Sequence, residues 1–315
     1  MLMKMLHLLK QLLERSGLKT HLDGYIDGRI RRTALAKVDE LTLNTWDSLA
    51  RADIAYAVKN DADGYKILCP TRSVLGRLIF AGNFEVHERD FVKHFLRPGD
   101  TFVDIGANIG LFTLLGARIV GQNGLVLAFE PNPETFARLE DNIRINRFSN
   151  VNGFNIGLSD HAGALDLVTS LDGYDAWDSF GQPSAPGKFA SRRVEVDTVD
   201  ALFSRRSILA AGVELIKIDA EGWEPFILEG GRNFFAYPSA PTLLVEFTDR
   251  NLISAKRSAR ELYEILERLG YQLFNYNPDE RRLTPEAFRG DYPYVNLVAT
   301  KHREKVDSRL RENLE

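Results

Sequence analysis

The chain contains 315 residues, which is enough for one large α/β domain with additions or for two small domains. Its formal net charge of -4 gives no overall attraction to nucleic acid or to an anionic membrane surface. The single cysteine, Cys69, excludes an internal disulfide and a zinc site built only from thiolates. We therefore expect a protein of a reducing compartment, the cytoplasm.

The first segment, residues 1–18, has leucines and methionines at helical spacing with charged residues between them. These charges are too frequent for a transmembrane span or for the core of a signal peptide. The pattern predicts an amphipathic helix that packs on the domain or mediates dimerisation, with weak membrane contact as the alternative. Residues 1–60 look mostly helical and 64–80 strand-like, so we expect an N-terminal helical extension with a short strand region over 1–80.

Strands and helices are predicted to alternate over 81–301, the expected main domain. A helix is predicted over 85–96, and strand-like runs occupy 101–105, 125–130, 151–156, 214–219 and 242–247. Helical patterns cover 111–120, 134–146 and 223–235. This alternation is typical of parallel strands joined by crossover helices in a doubly wound α/β sheet.

The end of the chain follows a different pattern. A helix is predicted over 255–269, and the strand-like runs 271–276 and 294–301 are joined by a turn-rich link without a helix. The last strand can therefore insert antiparallel to the others. Residues 302–315 are predicted to be a charged helical tail.

One long interval, residues 171–193, is rich in Gly, Pro, Ser and aromatic residues and has neither helical nor strand periodicity. Long irregular loops inside a compact domain are usually functional or disordered. Its aromatic residues Tyr174, Trp177 and Phe180 favour an ordered loop that contacts the substrate.

A glycine-containing turn, D-I-G-A-N-I-G at 104–110, links the first strand of the alternation to a helix. A dinucleotide-binding turn requires glycines at positions 106, 108 and 111, but here only Gly106 is present, with Asn108 and Leu111 at the other two. The sequence also lacks a G-x-x-x-x-G-K-[ST] phosphate loop. Both phosphate-binding interpretations, including a nicotinamide oxidoreductase, are therefore disfavoured.

Two acidic residues at strand ends indicate another ligand. Asp104 beside the turn would repel a pyrophosphate but suits a ligand with an ammonium group, and Glu130 is placed to accept both hydroxyls of a ribose. A cationic amino-acid end combined with a ribose describes S-adenosylmethionine. The structural alternative is that both carboxylates cap helices or pair with Lys217.

The second informative stretch is E-L-I-K-I-D-A-E-G-W-E at 214–224. Along a strand, Lys217 and Asp219 share one face, and a buried lysine requires a carboxylate partner such as Asp219, Asp104 or Glu246. We expect Asp219 to take the proton of an acceptor hydroxyl or to orient the acceptor, with Lys217 positioning it and Glu221 nearby. A purely structural Lys217–Asp219 ion pair is the alternative.

These motifs together resemble those of FkbM-type S-adenosylmethionine-dependent methyltransferases. The similarity covers roughly residues 80–250 and consists of D-x-G-A-N-x-G at 104–110, F-E-P-N at 129–132, L-S-D at 158–160, V-D-T-V-D at 196–200 and K-I-D-A-E-G-W-E at 217–224. The resemblance implies a class I methyltransferase fold, a Rossmann-like sheet of seven mostly parallel strands with one antiparallel. It also implies O-methylation of a sugar or natural-product hydroxyl, with S-adenosylhomocysteine as the second product.

Carried onto this sequence, the resemblance implies a set of cofactor-binding residues. They are Asp104, Gly106, Ala107, Asn108 and Gly110 for the methionine part, Glu130 and Pro131 for the ribose, Asn155 and Ser159 near the adenine, Asp219 near the methyl group, and Glu85 over the site. Glu246, together with the loop aromatics, is predicted to contact the small-molecule or glycan acceptor.

Other functions remain as alternatives. A divalent metal held by Asp219, Glu221 and Glu246 is chemically conceivable, but no histidine stands at a matching spacing, so no metal is predicted. An N-methyltransferase is a rival enzyme, and a non-catalytic adenosyl-binding assembly module is a rival from another class. Nucleic-acid methylation is disfavoured because the net charge is negative and no Asn-Pro-Pro-Tyr-like tetrad follows the fourth strand.

Overall fold

The computed structural model describes residues 40–172, 178–182 and 187–312. The predicted amphipathic helix at the N-terminus lies outside these ranges, as do Tyr174 and Trp177. The chain divides into two compact units, residues 1–54 and 55–315. In the first unit, the described part contains a helix over 40–51, α1.

The described part of the second unit contains thirteen strands. In chain order they are β1 Tyr56–Asn60, β2 Lys66–Pro70, β3 Thr101–Ile105, β4 Leu125–Phe129, β5 Val151–Phe154, β6 Gly157–Leu158, β7 Gly163–Ser170, β8 Phe189–Asp197, β9 Leu215–Ile218, β10 Thr242–Phe247, β11 Gln272–Asn277, β12 Arg282–Pro285 and β13 Val295–Thr300.

The helices of this unit lie mostly between the strands. They are α2 Val74–Ala81, α3 Val86–Phe95, α4 Leu111–Val120, α5 Pro133–Asn146, α6 Val199–Arg205, α7 Glu224–Gly230, α8 Arg232–Ala236, α9 Asp249–Ser254, α10 Ala259–Arg268 and α11 Arg303–Arg311. Among the described residues, none of these helices combines the length and apolar character that crossing a bilayer requires.

Eight strands form the central sheet, in the order β12-β11-β13-β10-β9-β3-β4-β5. β10, β9, β3, β4 and β5 are parallel, and β13 inserts antiparallel between β10 and β11. Seven of these strands make the class I methyltransferase sheet with its single antiparallel strand, as the sequence predicts. The eighth, β12, is a short edge strand that pairs with β11 through a tight hairpin.

The segment 74–81 corrects a sequence prediction, because it is helical rather than strand-like. Ser73 caps the helix by accepting a hydrogen bond from Gly76 N at 2.7 Å, and Gly82 ends it in the left-handed conformation with φ +84°. A short apolar run fits either a buried strand or a buried helix, so the capping residues decide the outcome.

The interval 171–193 is also corrected. β8 begins at Phe189 and pairs with β7 in a second sheet of order β6-β8-β7, so residues 189–193 of the interval belong to a strand. The first half of β8 is mostly exposed, so its sequence lacks the apolar alternation that indicates a strand. Residues 56–60, predicted within a mostly helical region, form β1.

The predicted helix over 223–235 is divided at Gly231 into α7 and α8. The helix predicted over 255–269 begins later, because Ser258 caps α10 by accepting a hydrogen bond from Glu261 N. A hydrophobic core covers one face of the central sheet, where Val103, Ile218 and Val245 are fully buried. The opposite face carries polar side chains at its carboxyl end.

Candidate active site

Four neighbouring strands place polar residues on the same face of the sheet. Asp104 of β3 lies beside Lys217 of β9 in the parallel register, and Glu246 of β10 lies opposite Asn296 of β13 in the antiparallel register. Asp219 follows the end of β9, where its N–H donates to Ile105 O at 3.1 Å. In doubly wound sheets the ligand binds outside the carboxyl ends of the strands, which is where this face becomes polar.

The glycine turn brings the backbone close to this edge. Gly106 has φ +80°, and a Cβ built on it would lie 1.7 Å from Asp219 O, so a side chain cannot fit there. Gly110, with φ +99°, begins α4, and a Cβ there would lie 2.6 Å from Leu139 Cδ1. Gly106 lines the cavity, whereas Gly110 does not and instead allows α4 to approach the Leu139 side chain.

Glu130 ends β4 and is held entirely by backbone donors. Its Oε2 accepts a hydrogen bond from Asn108 N at 2.9 Å and its Oε1 one from Asn132 N at 2.8 Å. Despite these bonds, burial raises the pKa of Glu130 to about 8. Asn155 supports the same loop by donating to the carbonyls of Glu130 and Pro131 at 2.9 and 3.0 Å, so it does not line the cavity.

Lys217 is the central cation of the site and is buried, with 2% of its surface exposed. Its Nζ lies 2.5 Å from Asp219 Oδ2, 3.9 Å from Glu85 Oε2 and 4.5 Å from the centre of the Phe112 ring. The expectation that Lys217 pairs with a carboxylate such as Asp219 therefore holds. Burial alone would lower the pKa of Lys217, but the surrounding carboxylates raise it above its ordinary range, so the ammonium stays charged.

Two further carboxylates surround this cation. Asp104 is buried, accepts a hydrogen bond from Thr113 Oγ1 at 2.6 Å, and has its pKa raised by burial. Glu85 precedes α3 and accepts a hydrogen bond from Tyr294 Oη at 2.8 Å, while burial raises its pKa to about 7. Asp104 and Glu85 both line the cavity, as the sequence predicts.

The turn after Asp219 is held by an acidic residue that sequence reasoning did not assign to the site. Glu224 Oε1 accepts hydrogen bonds from Ala220 N at 2.8 Å and Gly222 N at 3.3 Å. Within this turn Glu221 adopts a left-handed conformation with φ +51°, which is uncommon for a residue with a side chain. The K-I-D-A-E-G-W-E motif thus includes both site residues and the carboxylate that shapes their loop.

Glu221 and Glu246 complete an acidic group with Asp219, and one oxygen from each of the three lies within 4.8 Å of the other two. Glu221 Oε2 accepts from Asn251 Nδ2 at 2.5 Å, and Glu246 Oε1 accepts from Thr248 Oγ1 at 2.8 Å. Burial and the neighbouring carboxylates raise the pKa of Glu221 and of Glu246. Glu221 lines the cavity, whereas Glu246, predicted to contact the acceptor, is not among the lining residues.

The described part of the 171–193 segment lies over this turn. Ser179 Oγ donates to Glu221 O at 2.8 Å, and the Phe180 ring lies 5.3 Å from the ring of Trp223. Phe180 lines the cavity, and its contact with a substrate remains a prediction. Ser159 does not: it is fully buried and its hydroxyl accepts a hydrogen bond from Trp223 Nε1 at 3.1 Å.

Most predicted site residues line one cavity. Those present are Glu85, Asp104, Gly106, Ala107, Asn108, Glu130, Pro131, Phe180, Lys217, Asp219 and Glu221. Sequence reasoning missed Asp178, Phe112 and an apolar wall formed by Leu75, Ile79 and Phe84. The wall comes from α2 and the residues after it, and no motif marks these positions.

The sequence matches the Methyltransferase FkbM domain over residues 104–273, more than half of the chain. The chain belongs to this family. This is the family that the sequence motifs resemble.

Two curated relatives agree with this family. Methyltransferase 1 of Beauveria bassiana (strain ARSEF 2860) is 30% identical over 148 residues, which cover 42% of this chain and 59% of the relative. The 31-O-demethyl-FK506 methyltransferase FkbM of Streptomyces tacrolimicus is 46% identical over 57 residues, 18% of this chain and 22% of that protein. The chain thus spans less than two thirds of either relative.

Solved structures are only distantly similar. M. jannaschii TYW2 in complex with AdoMet is 15% identical with a TM-score of 0.39, covering 78% of this chain and 84% of that one. Aeropyrum pernix fibrillarin with natively bound S-adenosyl-L-methionine is 14% identical with a TM-score of 0.37, covering 78% and 94%. These likenesses are too weak to bear on the details of the site.

Proposed function

We propose that the chain is an O-methyltransferase that moves the methyl group of S-adenosylmethionine to a hydroxyl of a small-molecule or glycan acceptor. The observation that carries the proposal is the pair of Lys217 and Asp219 at the cavity. Lys217 is buried, whereas the Asp219 side chain keeps 20% of its surface exposed. The pair thus offers a carboxylate of fixed position to a molecule in the cavity.

The donor end of the cavity fits the parts of S-adenosylmethionine. Each oxygen of Glu130 accepts one backbone N–H and retains capacity for a ribose hydroxyl. Gly106 has no side chain, so the methionine part of S-adenosylmethionine can approach the backbone there. Asp104 offers negative charge to the ammonium group of that methionine part. Bound there, S-adenosylmethionine supplies a sulfonium-activated methyl group.

The remaining chemistry is positioning and proton removal. An alcohol is a poor nucleophile, so a base that takes its proton as the new carbon–oxygen bond forms accelerates transfer. Asp219 Oδ1 is the atom for this task, because Oδ2 is held by Lys217 at 2.5 Å. The permanent charge of Lys217 keeps Asp219 oriented, and Phe180, whose ring lies 5.3 Å from that of Trp223, lines the same cavity.

The proposal is tested by incubating the protein with S-adenosylmethionine carrying a labelled methyl group and a panel of hydroxyl- and amine-bearing acceptors. We expect label in methyl ethers, identified by mass spectrometry, and a drop in turnover of about 100-fold or more in Asp219→Asn. S-adenosylhomocysteine affinity should change little. Asp100→Asn, which removes a carboxylate paired with Arg309 away from the cavity, is the matched control and should retain turnover.

Two results would contradict the proposal. Label found only on amines would replace O-methylation by N-methylation. Normal turnover of Asp219→Asn would leave the Lys217–Asp219 pair a structural role alone.

A further inference from the structure

Three carboxylates lie close together on the side of the site where the acceptor is proposed to bind, and one lysine contacts only one of them among the described residues. Asp219, Glu221 and Glu246 bring one oxygen each within 4.8 Å of the others, and Lys217 contacts Asp219 of these three. Like charges at this separation repel, and taking carboxylates out of water adds a further cost. Such a group persists in a folded protein when some of its members take up protons or when a cation is bound among them.

A second observation concerns oxygens without partners. Within the described part of the chain, Glu246 Oε2 and Asn296 Oδ1 are buried and accept no hydrogen bond. Glu246 and Asn296 are 4% and 7% exposed. A buried acceptor left unsatisfied is costly, so native structures rarely keep one without a ligand, an ion or a water.

The side chains that carry these two oxygens lie on the same face of the central sheet. Glu246 and Asn296 are directly opposed in the antiparallel register of β10 and β13, so their side chains leave the same face of the sheet. That face also carries Asp219 beside Glu246, because Val245 pairs with Ile218 one residue earlier. The amide orientation of Asn296 is fixed, since its Nδ2 donates to Glu88 Oε1 at 3.3 Å.

From these contacts we propose that Asp219, Glu221 and Glu246, with the amide oxygen of Asn296, form a binding site for a divalent cation. The ligand set consists only of carboxylate and amide oxygens, which hard cations such as Mg²⁺, Mn²⁺ and Ca²⁺ select. Oxygens bound to one Ca²⁺-sized ion at about 2.3–2.6 Å are at most about 5 Å apart, and the observed group meets this limit.

The role of the cation rests on the proposed function. A cation bound there would hold the acceptor oxygen toward the methyl group and would lower the pKa of the acceptor hydroxyl, so that its proton passes to Asp219 more readily. The binding of the cation itself does not depend on which acceptor is methylated.

The site is tested by titrating Mn²⁺ into the full chain, after removal of metals with a chelator, and following free Mn²⁺ by electron paramagnetic resonance. We expect one site with a dissociation constant below about 1 mM. In Glu246→Gln the affinity should fall by about 10-fold or more. Glu286→Gln, which alters another buried carboxylate bonded to Asn275 on the far edge of the sheet, should bind as the wild type does.

A second test measures the Tm with and without Mn²⁺, which also detects weak binding. Added Mn²⁺ should raise the Tm of the wild type but not that of Glu246→Gln, whose Tm without metal should equal or exceed the wild-type value because an unpaired charge has been removed. No Mn²⁺ binding, or binding that Glu246→Gln leaves unchanged, would overturn the metal site. Calorimetric binding of S-adenosylhomocysteine in the absence of metal tests the donor half separately, so the two proposals fail independently.

Discussion

The two sides of the cavity hold their carboxylates in opposite ways. On the Glu130 side, both oxygens of one buried carboxylate are held by the backbone amides of Asn108 and Asn132. On the Glu246 side, several carboxylates crowd together and one buried oxygen has no described partner. A carboxylate held by the backbone can accept a hydrogen bond from a neutral hydroxyl, whereas crowded carboxylates suit the proposed cation. On the proposed function, this difference divides the site into a donor half around Glu130 and an acceptor half around Glu246.

The largest loss of turnover is expected from a change at Gly106, where the glycine turn lies against the backbone of Asp219. In Gly106→Ala the new Cβ would lie 1.7 Å from Asp219 O. Either the glycine turn at 104–110 or the backbone after β9 must therefore move. Displacement by about 1 Å costs about 100-fold in properly aligned reactions, and we expect a loss of at least that size in turnover. Calorimetry with S-adenosylhomocysteine should show binding lost as well.

Gly121→Ala is the matched control for this change. Gly121 also has positive φ, at +65°, but a Cβ there meets nothing within 4 Å. It should cost about 1–2 kcal/mol of stability in urea unfolding and leave binding intact. Equal losses of binding in both variants would show that backbone strain, not the contact between the halves, is responsible.

Removing the central cation should destabilise the fold. Lys217→Met leaves the partly exposed Asp219 and the buried Asp104 without their positive partner, and breaking a buried pair costs about 3–5 kcal/mol. Urea unfolding measures this loss. Lys305→Met, which breaks a half-exposed pair with Glu214, should cost no more than about 1 kcal/mol. A Lys217→Met protein as stable as the wild type would mean that the carboxylates are neutral in the fold.

The donor half should show a pH dependence set by Glu130. Its pKa is raised from 4.5 to about 8, so its ionised form is disfavoured in the free protein and its contribution to stability falls as pH rises from 4.5 through about 8. Ribose hydroxyls donate to the ionised form, so binding should release a proton near neutral pH and tighten as pH rises to about 8. Calorimetry in two buffers of different ionisation enthalpy measures this release, which Glu130→Gln should abolish.

The smallest loss of affinity is expected from a change at Asn155, whose side chain supports the loop at Glu130. Asn155→Ala removes two hydrogen bonds to the carbonyls of the loop at Glu130 and Pro131, each worth about 0.5–1.5 kcal/mol. S-adenosylhomocysteine should bind no more than about 10-fold more weakly, in agreement with a supporting role rather than a direct contact. Asn146→Ala, which removes similar bonds to Lys66 O and Asn142 O, should lower stability but not affinity.

The donor half was readable from the sequence because its signals are local. The strand before Asp104, the bare glycine at 106 and the acidic end of β4 are each visible in short stretches, and the parallel alternation places them together. The register that pairs Asp104 with Lys217 comes from the structure, because the sequence left Asp219, Asp104 and Glu246 as alternative partners of the lysine. Here local chemistry and topology lead to the same conclusion.

The acceptor half was harder to predict because its partners are distant in sequence. Asn296 reaches Glu246 through the antiparallel insertion of β13, and no motif marks it. The apolar wall from Leu75 and Ile79 required the segment 74–81 to be a helix, which a short apolar run does not reveal. No histidine stands at a matching spacing, so the sequence predicts no metal, and the cation site remains a proposal that rests on oxygen ligands alone.

The division into two halves is tested most directly by measuring two affinities in two variants. S-adenosylhomocysteine and Mn²⁺ are each titrated into Glu130→Gln and Glu246→Gln. The account predicts that Glu130→Gln weakens S-adenosylhomocysteine by about 10-fold or more and leaves Mn²⁺ unchanged, while Glu246→Gln does the reverse. Loss of both ligands in both variants, or of neither in either, would contradict it.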